Sequence, residues 1–393
     1  MDDRTAGALD GIRVLDFTAV MAGPFATRML ADLGAEVIKV ETMKGGDQVR
    51  ARPPLRDGKS RYFAQLNAGK RSLACDLKNP AMQETIRKLA SHCDIVVENF
   101  RPGVMARFGL DYETLTKINP RLIYCSISGY GQQGPKAHSP AYAPVIHASS
   151  GFDLTNLEYQ DNADKPATSG IFIADVLGGT HAFGAIQTAL FQRERTGKGQ
   201  YIDVSMLEAM VGMLVYETQT AQQPLDQRRP LYKPLRTADG FIMVAPTSPA
   251  NFLSLVKAMG REELADDPRF ATNADRNRNW DALLAEAESW TMQHSSQEAE
   301  AQLSAKGVPC AVYRNVTEVM EDEQLASRQA FTTLDDGAGR FKVTNPPFRM
   351  SASATHARNH MPALGEDGGT ILHDILDLRD DEIETYRSQG MML

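Results

Sequence analysis

Cysteine is scarce in this chain, and the four present, Cys75, Cys93, Cys125 and Cys310, stand far apart without metal-ligand spacing. No metal site is expected from them, and they read as reduced, mostly buried thiols. Long apolar runs are also missing, so no segment reaches the length of a membrane span. The first residues, Met1-Asp2-Asp3-Arg4, lack the apolar core of a signal peptide, which makes the cytoplasm the expected location. Basic excess is absent too. A formal net charge of −8 argues against general nucleic-acid binding, while a phosphorylated small ligand needs only a local basic cluster. Internal repeats and low-complexity tracts are absent as well. What remains is 393 residues with 42% hydrophobic and 23% charged side chains, an ordinary soluble composition long enough for two domains.

Strand and helix patterns alternate through the first half. Arg13–Phe17 reads as a strand, Gly23-Pro24 opens a helix that Gly34 ends, and Glu36–Val40 is the next strand, giving a βαβ unit with parallel strands. The connecting loop lacks G-x-G-x-x-G, which argues against a nicotinamide or flavin dinucleotide site. Further strands are read at Ile95–Glu98, Leu122–Ser128 and Tyr201–Val204, with a helix near Ala81–Ala90. This spacing indicates an open, parallel, Rossmann-like α/β sheet whose ligands gather at the carboxyl ends of the strands. Asn99 and the Gly129-Tyr130-Gly131 loop lie at such ends. Residues 132–168 read as a proline-containing loop that carries Tyr142 and His147. Composition changes after residue 221. Residues 1–221 form the first part of a large domain, 222–236 a linker that includes Arg228-Arg229-Pro230, 237–329 a smaller α+β domain, and 330–393 a tail with too little apolar periodicity to fold alone.

One stretch stands out, Ser169 to Thr180, in which a short apolar run leads to Asp175 at the start of a helix reaching about Arg193. Two readings are open. Asp175 is an N-cap, or it is a nucleophilic or basic carboxylate beside exposed N–H groups. Gly178 and Gly179 weaken a helix relative to alanine, and with Ala182, Ala185 and Ala189 they make a stripe that permits close approach of a neighbour or ligand. Lys70-Arg71, beside a turn, is either a solvated surface pair or a phosphate clamp.

Several ordered segments together resemble the class III CoA-transferases, which include formyl-CoA:oxalate and carnitine CoA-transferases and the α-methylacyl-CoA racemases. They are residues 9–17 with Ala22-Gly23-Pro24, residues 34–41, 67–76 and 98–109, Gly129-Tyr130-Gly131-Gln132 with Gly134-Pro135, and residues 175–205. The resemblance implies that Asp175 is the catalytic carboxylate and that coenzyme A, as acyl-CoA, is substrate rather than a permanently bound cofactor. It puts CoA contacts on Lys78, Asn99, Phe100, Arg101, Met105 and Arg107, and Tyr62 and Tyr142 in the substrate pocket. Met21 falls where the formyl-CoA enzyme has glutamine, which points to a larger or less polar acid than oxalate. The implied partners are an acyl-CoA and a carboxylic acid, and the implied assembly is an interlocked homodimer. A racemase needs a histidine opposite the aspartate. The aligned stretch here reads Ala141-Tyr142-Ala143, with His147 five residues beyond Tyr142. A CoA-binding protein without catalysis is the third reading.

Overall fold

The computed structural model describes residues 6–224 and 229–393. The N-terminal residues 1–5 and Arg228 of the linker reading lie outside the described residues. Two compact units are present: Met1–Gln219 together with Ala326–Leu393, and Thr220–Leu325.

The larger unit is built on six parallel strands, β1 (Arg13–Asp16), β2 (Glu36–Glu41), β3 (Arg71–Ala74), β4 (Ile95–Glu98), β5 (Ile123–Ser128) and β6 (Tyr201–Ser205). Their order in the sheet is 3-2-1-4-5-6. The chain winds outward from β1 in one direction and then from β4 in the other, so the crevice beyond the carboxyl ends of β1 and β4 is the topological switch point. Both faces are covered, which is why every strand except the edge strand β6 is buried almost throughout rather than alternating. On one face, Val14, Val97, Cys125 and Ile127 pack under α1 (Ala22–Asp32), α6 (Ala143–Ser149), α8 (Ile173–Thr196) and α9 (Met206–Met213). On the other, Leu15, Ile38, Leu73 and Val96 pack under α3 (Pro80–Ser91) and the C-terminal helices Gly368–Leu376 and Asp380–Ser388.

The smaller unit has a three-stranded antiparallel sheet of Leu235–Arg236, Phe241–Val244 and Cys310–Val312. Its core contains Phe252, Phe270, Trp280 and Leu283. Leu235–Arg236, read as linker from composition, is therefore a paired strand. The loop reading of residues 132–168 also changes. Pro144 sits in the first turn of α6, where a missing N–H is harmless, and a second short helix, α7 (Phe152–Glu158), follows.

Buried charge is concentrated at the carboxyl side of the sheet. Lys70, fully buried, donates to Asp16 Oδ2 at 3.0 Å, Thr27 Oγ1 at 2.7 Å and Asn67 Oδ1 at 2.8 Å. A phosphate clamp is thereby excluded for this lysine, because its ammonium is already enclosed by protein acceptors. Arg71 is likewise occupied, at 2.5 Å from Glu36. Burial alone would raise the Asp16 carboxyl, but Lys70, Lys39 and the Thr18 hydroxyl and amide outweigh it and hold the group at about 2. Burial pushes the Lys70 ammonium down to about 8 against the pull of Asp16. Both partners are charged near neutrality. Lys70→Met strands the Asp16 carboxylate in the core, and removal of one member of a buried pair costs roughly 3–5 kcal/mol. Urea unfolding at pH 7 should show a loss of that size. Asp16→Asn combined with Lys70→Met should recover part of it, and a Lys70→Met protein as stable as wild type would contradict the pairing.

Candidate active site

The loop after β1 is held atom by atom. Thr18 N–H donates to Asp16 Oδ1 at 2.8 Å, and Lys39 Nζ donates to the Thr18 carbonyl at 2.7 Å. Asn99, just beyond β4, brackets Ala19: its Oδ1 accepts the Ala19 N–H at 2.9 Å and its Nδ2 donates to the Ala19 carbonyl at 2.8 Å. Asp47, itself paired with Lys39 at 3.0 Å, accepts the Val20 N–H at 3.2 Å. Val20 has φ +68°, a left-handed conformation rare for a β-branched residue, and the surrounding acceptors maintain it.

Beyond this loop lies a cavity of about 340 Å³, lined among others by Val20, Ala22, Asn99, Phe100, Arg101 and Asp175. Asp175 enters from the first turn of α8. Its helix begins at Ile173, with Phe172 as a capping residue that makes no side-chain bond, so the N-cap reading of Asp175 does not hold. No protein cation pairs with this carboxylate among the described residues. Burial pushes it up to about 6, opposed by the backbone N–H of Ala22. The glycines behind it serve close packing. A Cβ on Gly179 would stand 2.5 Å from the Ala22 carbonyl oxygen, and one on Gly178 would stand 3.0 Å from Met206 Cγ. The helix can thus bring Asp175 against the N-terminus of α1 only because these positions lack side chains.

A second cavity, of about 440 Å³, lies beside the first and shares Phe100 with it. Lys44, Lys78, Leu77, Val104 and Phe108 line it together with Asp76. Phe100 is fixed between the two by its N–H, which donates to Glu98 Oε2 at 2.8 Å. Burial pushes Glu98 up to about 7, against the Ser126 and Phe100 hydrogen bonds.

The sequence-derived residues divide accordingly. Asp175, Tyr142, Asn99, Phe100 and Arg101 line the first cavity, and Lys78 lines the second. Tyr62 lies within the field of Asp175: burial first, then that carboxylate, raises its phenol. Met21 lines neither cavity, and the apolar wall there comes from Val20 and Ala22. Met105 is 4% exposed within the hydrophobic core, so it offers no thioether surface to a ligand. Arg107 is exposed on α4 (Val104–Arg107) and lines neither cavity. Asn99 has both ends of its amide committed to Ala19, which makes it a strut of the site.

Sequence reasoning missed Gln48, Ser128, Ser139, Lys44 and Phe108. Ser128 ends β5, so the strand-end rule pointed to it. Its hydroxyl is buried and has no hydrogen-bond partner among the described residues. His360, Glu366 and Asp367 could meet around a cation, yet Glu366 accepts the Ala363 N–H at 2.7 Å and Asp367 the Ser72 N–H at 2.8 Å, which gives both carboxylates structural work.

Residues 9–368 match the profile of CoA-transferase family III. The chain belongs to that family. It is 33% identical over 398 residues to the mouse succinyl-CoA:glutarate CoA-transferase, with 98% of this chain and 90% of the relative aligned. It is 36% identical over 376 residues to the acetyl-CoA:oxalate CoA-transferase of Acetobacter aceti, covering 93% and 95% of the two chains. A crystal structure of a CaiB/BaiF family protein from Brucella suis superposes with a TM-score of 0.81 at 34% identity, covering 95% of this chain and 100% of that one. This family III chain is thus a CoA-transferase, and the reading as a binding protein without catalysis is set aside. The racemase reading loses its second base, because His147 Nε2 accepts the Ala174 N–H at 3.1 Å and the ring does not line the cavity.

The raised Asp175 carboxyl has a measurable cost. Its folded pKa of about 6 exceeds the unfolded value of 3.8, so its contribution to stability is most favourable below pH 3.8 and is lost as pH rises through 6. At pH 8 the ionised group destabilises the fold by an amount of order 3 kcal/mol at most. Asp175→Asn should therefore be more stable than wild type in denaturant titrations at pH 8. The difference should shrink steadily as pH falls from 6 to 4. An equal difference at pH 8 and pH 4 would show that the carboxyl is not desolvated.

Proposed function

We propose that the protein transfers CoA from an acyl-CoA to a carboxylic acid through covalent intermediates on Asp175. The observation that carries this reading is an unpaired, partly desolvated carboxylate in a cavity that adjoins, through Phe100, a second cavity bearing Lys44 and Lys78. The second cavity suits the nucleotide end of CoA, with cations for phosphate and aromatic or aliphatic walls for adenine. The thiol arm then passes Phe100 and Arg101 towards Asp175.

In the first step a carboxylate oxygen of Asp175 attacks the thioester carbonyl carbon. The C–S bond breaks, and CoA leaves as thiolate from a mixed anhydride. The thiolate attacks the aspartyl carbonyl carbon of that anhydride, releasing the donor acid as carboxylate and leaving an aspartyl-CoA thioester. The acceptor carboxylate attacks this thioester, and the same two steps in reverse give the new acyl-CoA and free Asp175. No proton is consumed, so the site needs an ionised nucleophile and N–H donors for each oxyanion. The positive end of the α8 dipole lies beside Asp175 and favours both the ionised carboxylate and the oxyanion. The names of the two relatives include succinyl-CoA, glutarate and oxalate beside one acetyl-CoA donor, and Arg101, Gln48, Ser128 and Tyr142 give the first cavity polar groups for a second carboxylate. Short aliphatic dicarboxylic acids are therefore the substrate class proposed.

Incubation with a panel of dicarboxylyl-CoA donors and acid acceptors, followed by mass spectrometry of the CoA esters, should find a productive pair. Hydroxylamine should then convert Asp175 to a hydroxamate only in the presence of the donor. Asp175→Ala should reduce transfer by at least about 10³-fold while CoA still binds. Turnover within tenfold of wild type would remove Asp175 as nucleophile.

The same reading includes an interlocked homodimer in the cytoplasm. Ile171, Phe191, Leu154 and Val215 are large apolar side chains exposed on the larger unit, which favours burial against a second copy. All four cysteines are free, and no helix among the described residues is long and apolar enough to cross a membrane. Linked chains cannot separate without unfolding, so mass photometry at nanomolar concentration should show dimer alone. A substantial folded monomer population would exclude linkage.

A further inference from the structure

We infer that His147 is a positioning residue for the nucleophile, acting as an N-cap supplied to α8 by a different helix. This rests on the reading of Asp175 as nucleophile. The start of α8 has no side-chain cap from its own sequence: Phe172, at the capping position, has no polar side chain, and the adjacent chain provides only the Ile171 carbonyl, which accepts the Ile173 N–H at 3.1 Å. An uncapped first turn frays, because its N–H groups find no intrahelical acceptor. Asp175 sits in that turn, where fraying would displace the carboxylate.

His147 fills the gap from α6. Its Nε2 accepts the Ala174 N–H at 3.1 Å, one residue before Asp175. The ring is 3% exposed and rests against Phe152, with centroids 5.7 Å apart. α6 also contributes Ala143 and Ile146 to the core shared with Ala174, Ile127 and Met206, so the cap is delivered from a rigid platform. The bond defines the protonation state. An Nε2 that accepts a hydrogen bond carries no proton, so the ring is neutral with its proton on Nδ1. Burial favours that neutral form.

Residues that only fill core volume are replaced well by apolar side chains of similar size. A capping acceptor is replaced only by another acceptor. Gln places a carbonyl oxygen at a reach comparable to Nε2, whereas Leu fills the space and accepts nothing. Two measurements test the inference. Amide hydrogen exchange in the segment 172–178, read by mass spectrometry on the full-length protein, should accelerate about tenfold in His147→Leu and return close to wild type in His147→Gln. With the donor–acceptor pair identified by the substrate panel, kcat should fall about tenfold in His147→Leu with KM for acyl-CoA changed less than about threefold, and His147→Gln should recover most of the loss. Equal exchange in the Leu and Gln variants overturns the cap, whatever the role of Asp175. Restored exchange in His147→Gln alongside wild-type kcat in His147→Leu also overturns the inference, since the cap would then exist without positioning the carboxylate. Failure of Asp175→Ala to lose activity is a separate result, and it removes the nucleophile assignment without altering the exchange data.

Discussion

The site depends on a set of buried charges at the carboxyl side of the parallel sheet. Asp16, Lys70, Lys39 and Asp47 are drawn from the end of β1, the turn just before β3, the middle of β2 and the loop after β2, and each is almost wholly buried. Their pairing gives the adjoining loop its shape. Asp16 takes the Thr18 amide, Lys39 takes the Thr18 carbonyl, and Asp47 takes the Val20 amide. Such ion pairs contribute little net stability compared with apolar packing, but breaking one is costly. Their value here is geometric. They hold Val20 in a left-handed conformation at the mouth of the switch-point crevice, which leaves the N-terminus of α1 free to meet α8.

That meeting brings the carboxylate into place. Gly178 and Gly179 remove the side chains that would otherwise separate α8 from Met206 and from the Ala22 carbonyl. Asp175 then faces the Ala22 N–H from inside a cavity whose far side is formed by Asn99, Phe100 and Arg101. The doubly wound topology supplies the rest. Strands β1 and β4 diverge at the switch point, and the two loops that leave their ends are tied together by the Asn99 amide bonded to both sides of Ala19. A ligand entering there contacts backbone already fixed before it arrives, which lowers the ordering cost of binding.

The fold was largely legible because parallel strands buried on both faces leave a plain signature, short apolar runs separated by helical periods. Individual side chains were less so. Lys70-Arg71 is open in the sequence between a surface pair and a phosphate clamp because sequence shows charge without depth, and only the fold reveals that Asp16, Thr27 and Asn67 converge on the ammonium. Met105 shows the complementary case: the family resemblance puts it at the CoA site, yet its side chain is buried in the core cluster with Leu110, against which Phe108 packs. Asp175 is open between cap and nucleophile in the sequence, and its place three residues into the helix removes the cap reading, since a cap must stand outside the first turn. His147 reads from the sequence as a structural residue or as the base of a racemase, and its partner is hidden there because the amide it bonds lies 27 residues along the chain.

The position of Asp175 on the pH scale follows from the same arrangement. A carboxylate in open water, near 3.8, is abundant but weakly basic, and weak bases are poor nucleophiles towards a thioester. Desolvation pushes the group up to about 6, which on the proposed mechanism strengthens the nucleophile while leaving roughly nine-tenths of it ionised at pH 7. Deeper burial without a partner would carry the pKa past neutrality and remove the reactive form. A nearby arginine or lysine would restore ionisation but lower basicity, and it would also neutralise the charge that must attack. A single backbone N–H, from Ala22, is a milder counterweight than a cation. Among the described residues no cation pairs with Asp175, whereas Lys70, Lys39 and Arg50 hold Asp16, Asp47 and Glu41, and on the proposed mechanism that difference leaves the Asp175 charge free to attack.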